Sequence, residues 1–138
     1  MPEVQEPGNG LIRVKITSPV RVIADQDAVS ALIPAEEGNR LIVPRKAPLI
    51  CLIRQGCLIV NCPDGKSYTY CVSNGICEIR RDICSVMAWA IRSDEIDRAR
   101  IVEQLKEAEV SLKTLVAADR RQELIDRIDF YRFVLTTR

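Results

Sequence analysis

The residue types in this chain that could do chemistry are six cysteines, Cys51, Cys57, Cys62, Cys71, Cys77 and Cys84, and adjacent carboxylates such as Glu36-Glu37. A cysteine can serve as a nucleophile, a soft metal ligand or a disulfide partner, and each use needs a suitable neighbour. No CxxC pair occurs and histidine is absent. The usual cysteine plus histidine zinc sites, and the cysteine or serine plus histidine nucleophile systems, therefore cannot be assembled. The cysteines lie in apolar, strand-like runs, and the opening MPEVQEPGNG has no basic segment followed by an apolar stretch. Reduced, buried cysteines acting as small hydrophobes are expected. An active cysteine would react quickly with a mild alkylating agent, whereas buried ones would resist until unfolding. Glu36-Glu37 has no accompanying base, phosphate loop or metal set, so an enzyme is disfavoured. No catalytic residue, metal site or required cofactor is assigned.

A chain of 138 residues holds one domain, or a compact domain with a short appendage. Its net charge of +1 provides no broad field to recruit nucleic acid or anionic lipid, so no nucleic-acid partner is expected. No run reaches the roughly 18 apolar residues of a membrane span. A soluble, cytosolic chain is expected.

The elements that must position these residues change character along the chain. Up to about Trp89, short alternating or continuous apolar segments are punctuated by glycine, proline, aspartate and asparagine, as in strands joined by turns. Leu11 to Thr17 places Ile12, Val14 and Ile16 on one face and Arg13 and Lys15 on the other. Further strands are predicted at Val20 to Ala24, Ala28 to Ile33 (closed by Pro34 and the turn 35–39), Leu41 to Val43 and Pro48 to Ile53. Cys57 to Cys62 pairs with Lys66 to Val72 across Pro63-Asp64-Gly65, the clearest hairpin signal. Ile76 to Ile79 and Ile83 to Trp89 follow, separated by the polar turn Arg80-Arg81-Asp82. Strands at this spacing indicate a sandwich or barrel.

Beyond Ile91 there is neither proline nor glycine, and charged residues are about twice as dense as before, which suits solvated helices. Ser93 is predicted to cap the first, with Asp94 and Glu95 in its first turn. Val102, Leu105, Glu109, Leu112 and Val116, flanked by Ile101, Ala108 and Leu115, form its stripe. Asp119 and Gln122 have capping-box spacing, so a second helix starts after a turn at Ala117-Ala118. Leu124, Ile128, Tyr131 and Leu135, with Ile125, form its stripe. So short a link makes the helices antiparallel. The predicted fold is α+β: an antiparallel β-sandwich of 8 to 10 short strands over residues 1–90, then an antiparallel two-helix hairpin over 91–138.

That order, with its particular turns, resembles the epsilon subunit of bacterial F-type ATP synthases from about Leu11 to Leu135. The resemblance rests on Ile12-Arg13-Val14-Lys15-Ile16-Thr17-Ser18-Pro19, Ile33-Pro34-Ala35-Glu36-Glu37-Gly38, Ile42-Val43-Pro44-Arg45-Lys46-Ala47-Pro48-Leu49 and Val72-Ser73-Asn74-Gly75-Ile76-Cys77-Glu78-Ile79. It departs where Arg45-Lys46 replaces a Gly-His pair, Asn74 replaces a glycine and Asn39-Arg40 ends a loop that commonly reads Glu-Phe-Gly.

The resemblance implies a non-catalytic central-stalk subunit that couples the gamma subunit to the c-ring. The hairpin would regulate ATP hydrolysis, meeting the catalytic alpha and beta subunits through Arg120, Arg121, Arg127 and Arg132 when extended. Those arginines would equally suit a solvated helical face with internal pairs such as Glu123 to Arg127. The complex would sit at the cytoplasmic face of the inner membrane, with membrane association only through the complex and a monomeric isolated chain. Some family members bind regulatory ATP through an Ile/Leu-Asp-x-x-Arg-Ala segment. Ile96, Asp97 and Arg100 match it and Ile101 departs from it, the alternative being an ordinary helix N-terminus. The runs Leu49 to Ile53 and Cys57 to Val60 are apolar on both faces, either covered internally or offered to a partner. Trp89 is read as a hydrophobic joint, and Tyr68, Tyr70, Phe130, Tyr131 and Phe133 as packing or partner residues. The same periodicities would also suit a free-standing adaptor for another complex.

Overall fold

The computed structural model describes residues 10–114 and 117–137. The chain divides into two units, Met1–Arg92 and Ser93–Arg138.

In the first unit, alternation builds β1 (Ile12–Thr17), and Ile12, Val14 and Ile16 are fully buried. Each such burial stabilises the fold by about 1.5–3 kcal/mol. The next strand, β2 (Val22–Ala28), starts and ends later than the predicted Val20 to Ala24. Ser18 is the cause. Its Oγ accepts from the Val20 and Arg21 N–H groups at 3.3 and 3.2 Å, and its own N–H donates to the Arg21 carbonyl at 2.9 Å. This serine turn keeps Val20 out of the ladder. Asp25 and Asp27 stay in the strand because Arg13 on β1 meets them at 2.8 and 3.2 Å.

The third strand, β3 (Ser30–Ala35), runs through Pro34 and turns at Glu36-Glu37 into β4 (Gly38–Ile42). Pro34 was expected to end the strand. It is tolerated because β3 pairs with β6 through Leu32 and with β5 only at Ala35, so the missing N–H falls between two ladders. β5 (Leu49–Ile53) and the hairpin of β6 (Gly56–Asn61) with β7 (Ser67–Val72) lie close to their predicted places. β8 (Gly75–Arg80) turns at Arg81 and Asp82, both at positive φ, into β9 (Ile83–Met87).

The predicted strand Ile83 to Trp89 is in fact two. After Met87 the chain crosses over, with Ala88 N–H donating to the Thr17 carbonyl and Ser73 N–H to the Trp89 carbonyl. It then forms β10 (Ala90–Arg92) against β7. The resulting order is β10-β7-β6-β3-β5-β8-β9-β1-β2, with β4 on β3. The narrow β3–β5 junction folds this sheet over, and one core cluster from Ile12 to Ala90 draws on both halves. The sandwich has one departure from the antiparallel expectation: β1 runs parallel to β9.

The second unit contains α1 (Arg98–Lys113) and α2 (Ala118–Thr136). Ser93 does not cap α1, since Ser93–Glu95 forms a separate 3-10 turn. The cap is Asp97, whose side chain accepts from the Arg100 N–H. The expected Asp119 capping box is also absent. Ala117 occupies the cap position without a side-chain bond, and Gln122 instead donates to Asp126 at 2.9 Å. The helices are antiparallel, as Arg98 donates to the Leu135 carbonyl at 2.6 Å near one end and Arg121 to the Leu112 carbonyl at 3.1 Å near the other. Ile101 and Ala108 are buried and Leu105 and Leu112 half-buried on α1, whereas Val102 is exposed. Leu115 and Val116 lie outside the described residues. On α2, Ile128, Phe130 and Val134 are buried and Leu124, Ile125, Tyr131 and Leu135 half-buried. This is a broader arc than the predicted stripe.

Candidate functional site

The double-faced apolar run of β5 sorts cleanly in the structure. Ile53 points into the core with Leu49 and Cys51 packed against it, while Ile50 and Leu52 point outward at 67% and 53% exposure. In the ladder register Leu52 faces Ile76 on β8, and Ile76 faces Met87 on β9. Directly opposed residues share a sheet face, so these three side chains form one outward row, with Met87 itself 52% exposed. The next row is Ile50, Glu78 and Ser85. Aliphatic side chains left in water in this arrangement can gain free energy by excluding it against another surface. By contrast, Leu58 and Val60 of β6 are fully buried.

One end of this half-sheet is cationic. Arg45, at φ 67°, donates its N–H to Asp82 Oδ1 at 2.7 Å, which ties the 43–48 loop to the β8–β9 turn. Arg45, Arg80 and Arg81 are exposed there. On the β1–β2 edge, hydrogen bonds from Arg13 to Asp25 and Asp27 hold its guanidinium charged above the ordinary arginine range. A charged edge strand also discourages pairing with another chain.

The departures from the family pattern have local partners. Asn74 Oδ1 accepts from the Gln55 N–H at 2.9 Å, a bond glycine could not make, and so joins the β5–β6 and β7–β8 bends. Asn39 Oδ1 accepts from Arg54 at 3.0 Å, and Arg40 pairs with Glu37 at 3.0 Å. Trp89 is half-buried, and its backbone N–H donates to Ser73 Oγ at 2.8 Å.

The segment Ile96, Asp97 and Arg100 straddles the start of α1. Ile96 is half-buried, Asp97 and Arg100 are exposed, and Asp97 Oδ1 lies 3.3 Å from the Arg100 backbone nitrogen. The intervening Arg98 is engaged with the last carbonyls of α2. The structure thus brings Asp97 and Arg100 together through a helix cap. Glu123 and Arg127 form the anticipated pair at 3.6 Å. A shallow groove of about 220 Å³ runs between the helices, its lining including Leu112, Ile125 and Ile128 with the charged Glu109 and Arg132. No group of three or more cysteine, aspartate or glutamate side chains is placed to hold a metal among the described residues. No helix among them is long and apolar enough to cross a membrane.

The outward row was only half legible in the sequence, and the Arg45–Asp82 tie was not legible at all, because both depend on pairing between distant segments.

Residues 11–93 match the family model described as ATP synthase, Delta/Epsilon chain, beta-sandwich domain. The chain is 35% identical over 104 residues to the ATP synthase epsilon chain of Neisseria gonorrhoeae, covering 74% of each. It is 30% identical over 122 residues to that of Stenotrophomonas maltophilia, covering 85% of this chain and 87% of the relative. Its fold is similar to a chain of the Euglena gracilis mitochondrial ATP synthase OSCP/F1/c-ring structure, with TM-score 0.63, 17% identity and coverage of 99% and 88%. A chain in the Tetrahymena thermophila mitochondrial ATP synthase central stalk and c-ring structure is similar at TM-score 0.53 and 13% identity, with 98% of both chains covered.

Proposed function

This chain belongs to the ATP synthase delta/epsilon chain family, and on that premise we propose that it is the epsilon-type central-stalk subunit of an F-type ATP synthase. In this role it performs no bond chemistry. It joins the gamma subunit to the c-ring and turns with them, as part of a membrane-associated complex on the cytoplasmic face. The observation that carries the reading is the family match across the whole sandwich, together with an outward apolar row, Leu52, Ile76 and Met87, beside Ile50. Such a row suits a surface that must grip a partner through many rotations, because apolar burial is non-directional.

Regulation belongs to the same proposal. The second unit is two charged helices tied at their ends by Arg98 and Arg121. Few buried side chains and exposed tying bonds make an element whose packings can differ by a few kcal/mol, roughly what a switch needs. When extended, the hairpin would meet the catalytic alpha and beta subunits and oppose hydrolysis. Regulatory ATP at Ile96, Asp97 and Arg100 is the remaining part of the reading, supported by an exposed guanidinium beside a helix N-terminus.

The test is purification of the tagged chain from its native membranes, with mass spectrometry and an ATPase assay. Gamma, ring and catalytic subunits should be recovered, and a chain ending at Arg92 should give faster hydrolysis. Leu52→Glu, which changes an exposed residue, should leave the melting temperature unchanged and reduce recovery of gamma. Unchanged hydrolysis on truncation would remove the inhibitory role only. Absence of gamma and ring subunits would refute the assignment and favour a free-standing adaptor.

A further inference from the structure

Two cysteine pairs stand directly opposite across antiparallel ladders: Cys57 on β6 with Cys71 on β7, and Cys51 on β5 with Cys77 on β8. All six cysteines are thiols. Opposed residues share a face, and the two pairs face opposite ways. Cys77 belongs to the core, with Cys51 packed partly against it. On β6 and β7 it is Leu58, Val60, Tyr70 and Val72 that enter the core, so Cys57 and Cys71 lie on the outer face. Cys57 is exposed and Cys71 buried.

The hydrogen-bond phase of the β6–β7 ladder sharpens this. The Cys62 N–H donates to the Lys66 carbonyl at 2.8 Å, and these residues continue the register in which Cys57 faces Cys71. Bonded and non-bonded pairs alternate along an antiparallel ladder. Counting back from Cys62 and Lys66 therefore puts Cys57 and Cys71 at a non-hydrogen-bonded pair. There Cα atoms stand about 4.5 Å apart with side chains at their closest, inside the ~4.4–6.8 Å span of a disulfide.

We propose that Cys57 and Cys71 are an oxidisable dithiol on the outer face of the sandwich, closed to a cross-strand disulfide by exchange with a small-molecule disulfide such as oxidised glutathione. The Cys57 thiolate attacks one glutathione sulfur, breaking its S–S bond and releasing one glutathione thiolate. The Cys71 thiolate then attacks the Cys57 sulfur and expels the second. Two protein thiols are oxidised, one small disulfide is reduced to two thiols, and the two cysteine protons end on the released glutathione. The site is independent of the stalk assignment. Because Cys71 also faces Ile91 on β10, the closed pair staples the strand beside the one that leads into the helical unit.

The core-facing pair is the internal contrast. Burial, then the neighbouring Cys77, pushes the Cys51 thiol up, and Cys77 is raised by its hydrogen bond with Cys84 at 3.6 Å and then by burial. Scarce thiolate keeps these groups reduced. Cys84 faces Ile79, not Cys77; although their sulfurs approach to 3.6 Å, the Cα atoms of such a diagonal pair stand about 7–8 Å apart, at or beyond the limit for bridging without backbone movement.

The experiment exposes the full chain to glutathione buffers of graded ratio at neutral pH, quenches with an alkylating agent and maps the peptides. The expected product is one intramolecular link between the Cys57 and Cys71 peptides, lighter by two hydrogens and reversed by dithiothreitol. Cys51, Cys77 and Cys84 should become alkylated only after unfolding. Cys71→Ala should accumulate a glutathione mixed disulfide at Cys57, and mapping of the unsubstituted chain decides the matter if that variant does not fold. Glutathione persisting on Cys57 of the unsubstituted chain, a link between two chains, or a link among the core cysteines would overturn the proposal.

Discussion

Gly75→Ala is expected to be among the most damaging small changes available in the sandwich. Gly75 opens β8 opposite Ile53. A Cβ at this position would press on the Met87 carbonyl oxygen well inside contact distance, and would stand 2.7 Å from Ala88 Cβ and 3.2 Å from Ala88 Cα. None of those atoms can rotate away, so the crossover between β9 and β10 must move. Overpacking costs about 1–3 kcal/mol where neighbours can adjust. Here the upper figure, about 3 kcal/mol, is expected because the obstacle is backbone. For a unit of this size each kcal/mol shifts the midpoint by ~4–8 °C, giving a fall of ~12–24 °C. Two other glycines calibrate the result. At Gly56 the nearest obstacle is the Pro34 ring, with Cβ at 3.1 Å, and at Gly38 there is open space but a φ of 128°. Alanine at either should cost about 1 kcal/mol, through mild crowding at Gly56 and backbone strain at Gly38. Melting followed by fluorescence of the single tryptophan, Trp89, beside the crossover, reads all three variants. A Gly75→Ala midpoint within about 2 °C of the parent, or above that of Gly38→Ala, would refute the reasoning.

Alkaline pH should destabilise the sandwich through Cys77. Its folded-state pKa is raised, so above the ordinary thiol value of ~8.5 the folded chain holds a proton that the unfolded chain has lost. Stability is full below that pH and falls as pH rises, by up to ~1.4 kcal/mol per pH unit. Cys51 and Cys62, raised mainly by burial but nearer solvent, add less. Urea midpoints on either side of the thiol pKa measure this, and a slope unchanged in Cys77→Ala would reject the assignment. At the helix start, Asp97→Ala should remove a cap worth about 1 kcal/mol, raising amide exchange in the first turn of α1 about fivefold, whereas Asp97→Asn should preserve protection. Loss of ATP binding in Asp97→Asn with protection retained would support the nucleotide reading. Equal binding in both forms would remove the Asp97 carboxylate from it.

Much of the architecture was legible in sequence. The alternation of Ile12, Val14 and Ile16 marks an inward face, Pro63-Asp64-Gly65 marks the β6–β7 hairpin, and the loss of glycine and proline after Gly75 marks the helical half. Caps were less legible. Ser93 and Asp97 both precede the apolar period of α1, and both are competent side chains. Asp97 caps because Ser93–Glu95 forms its own 3-10 turn, leaving Arg98 as the first helical residue.

Local pattern thus determines which segments are strands or helices and, through the ordered motifs, which family they resemble, because period and turn chemistry act over a few residues. Partnership across the chain was decided only by the tertiary structure. Leu49 to Ile53 is apolar at every position, so its inward face cannot be read from the strand itself. Pairing with β8 selects it and leaves Leu52 in a row with Ile76 and Met87. The parallel β1–β9 pair, the crossover at Ala88 and Trp89, and the meeting of Cys57 with Cys71 likewise depend on register between separated strands. A one-residue slip would turn each of those side chains to the opposite face, and register is fixed by closure of the whole sheet around one core.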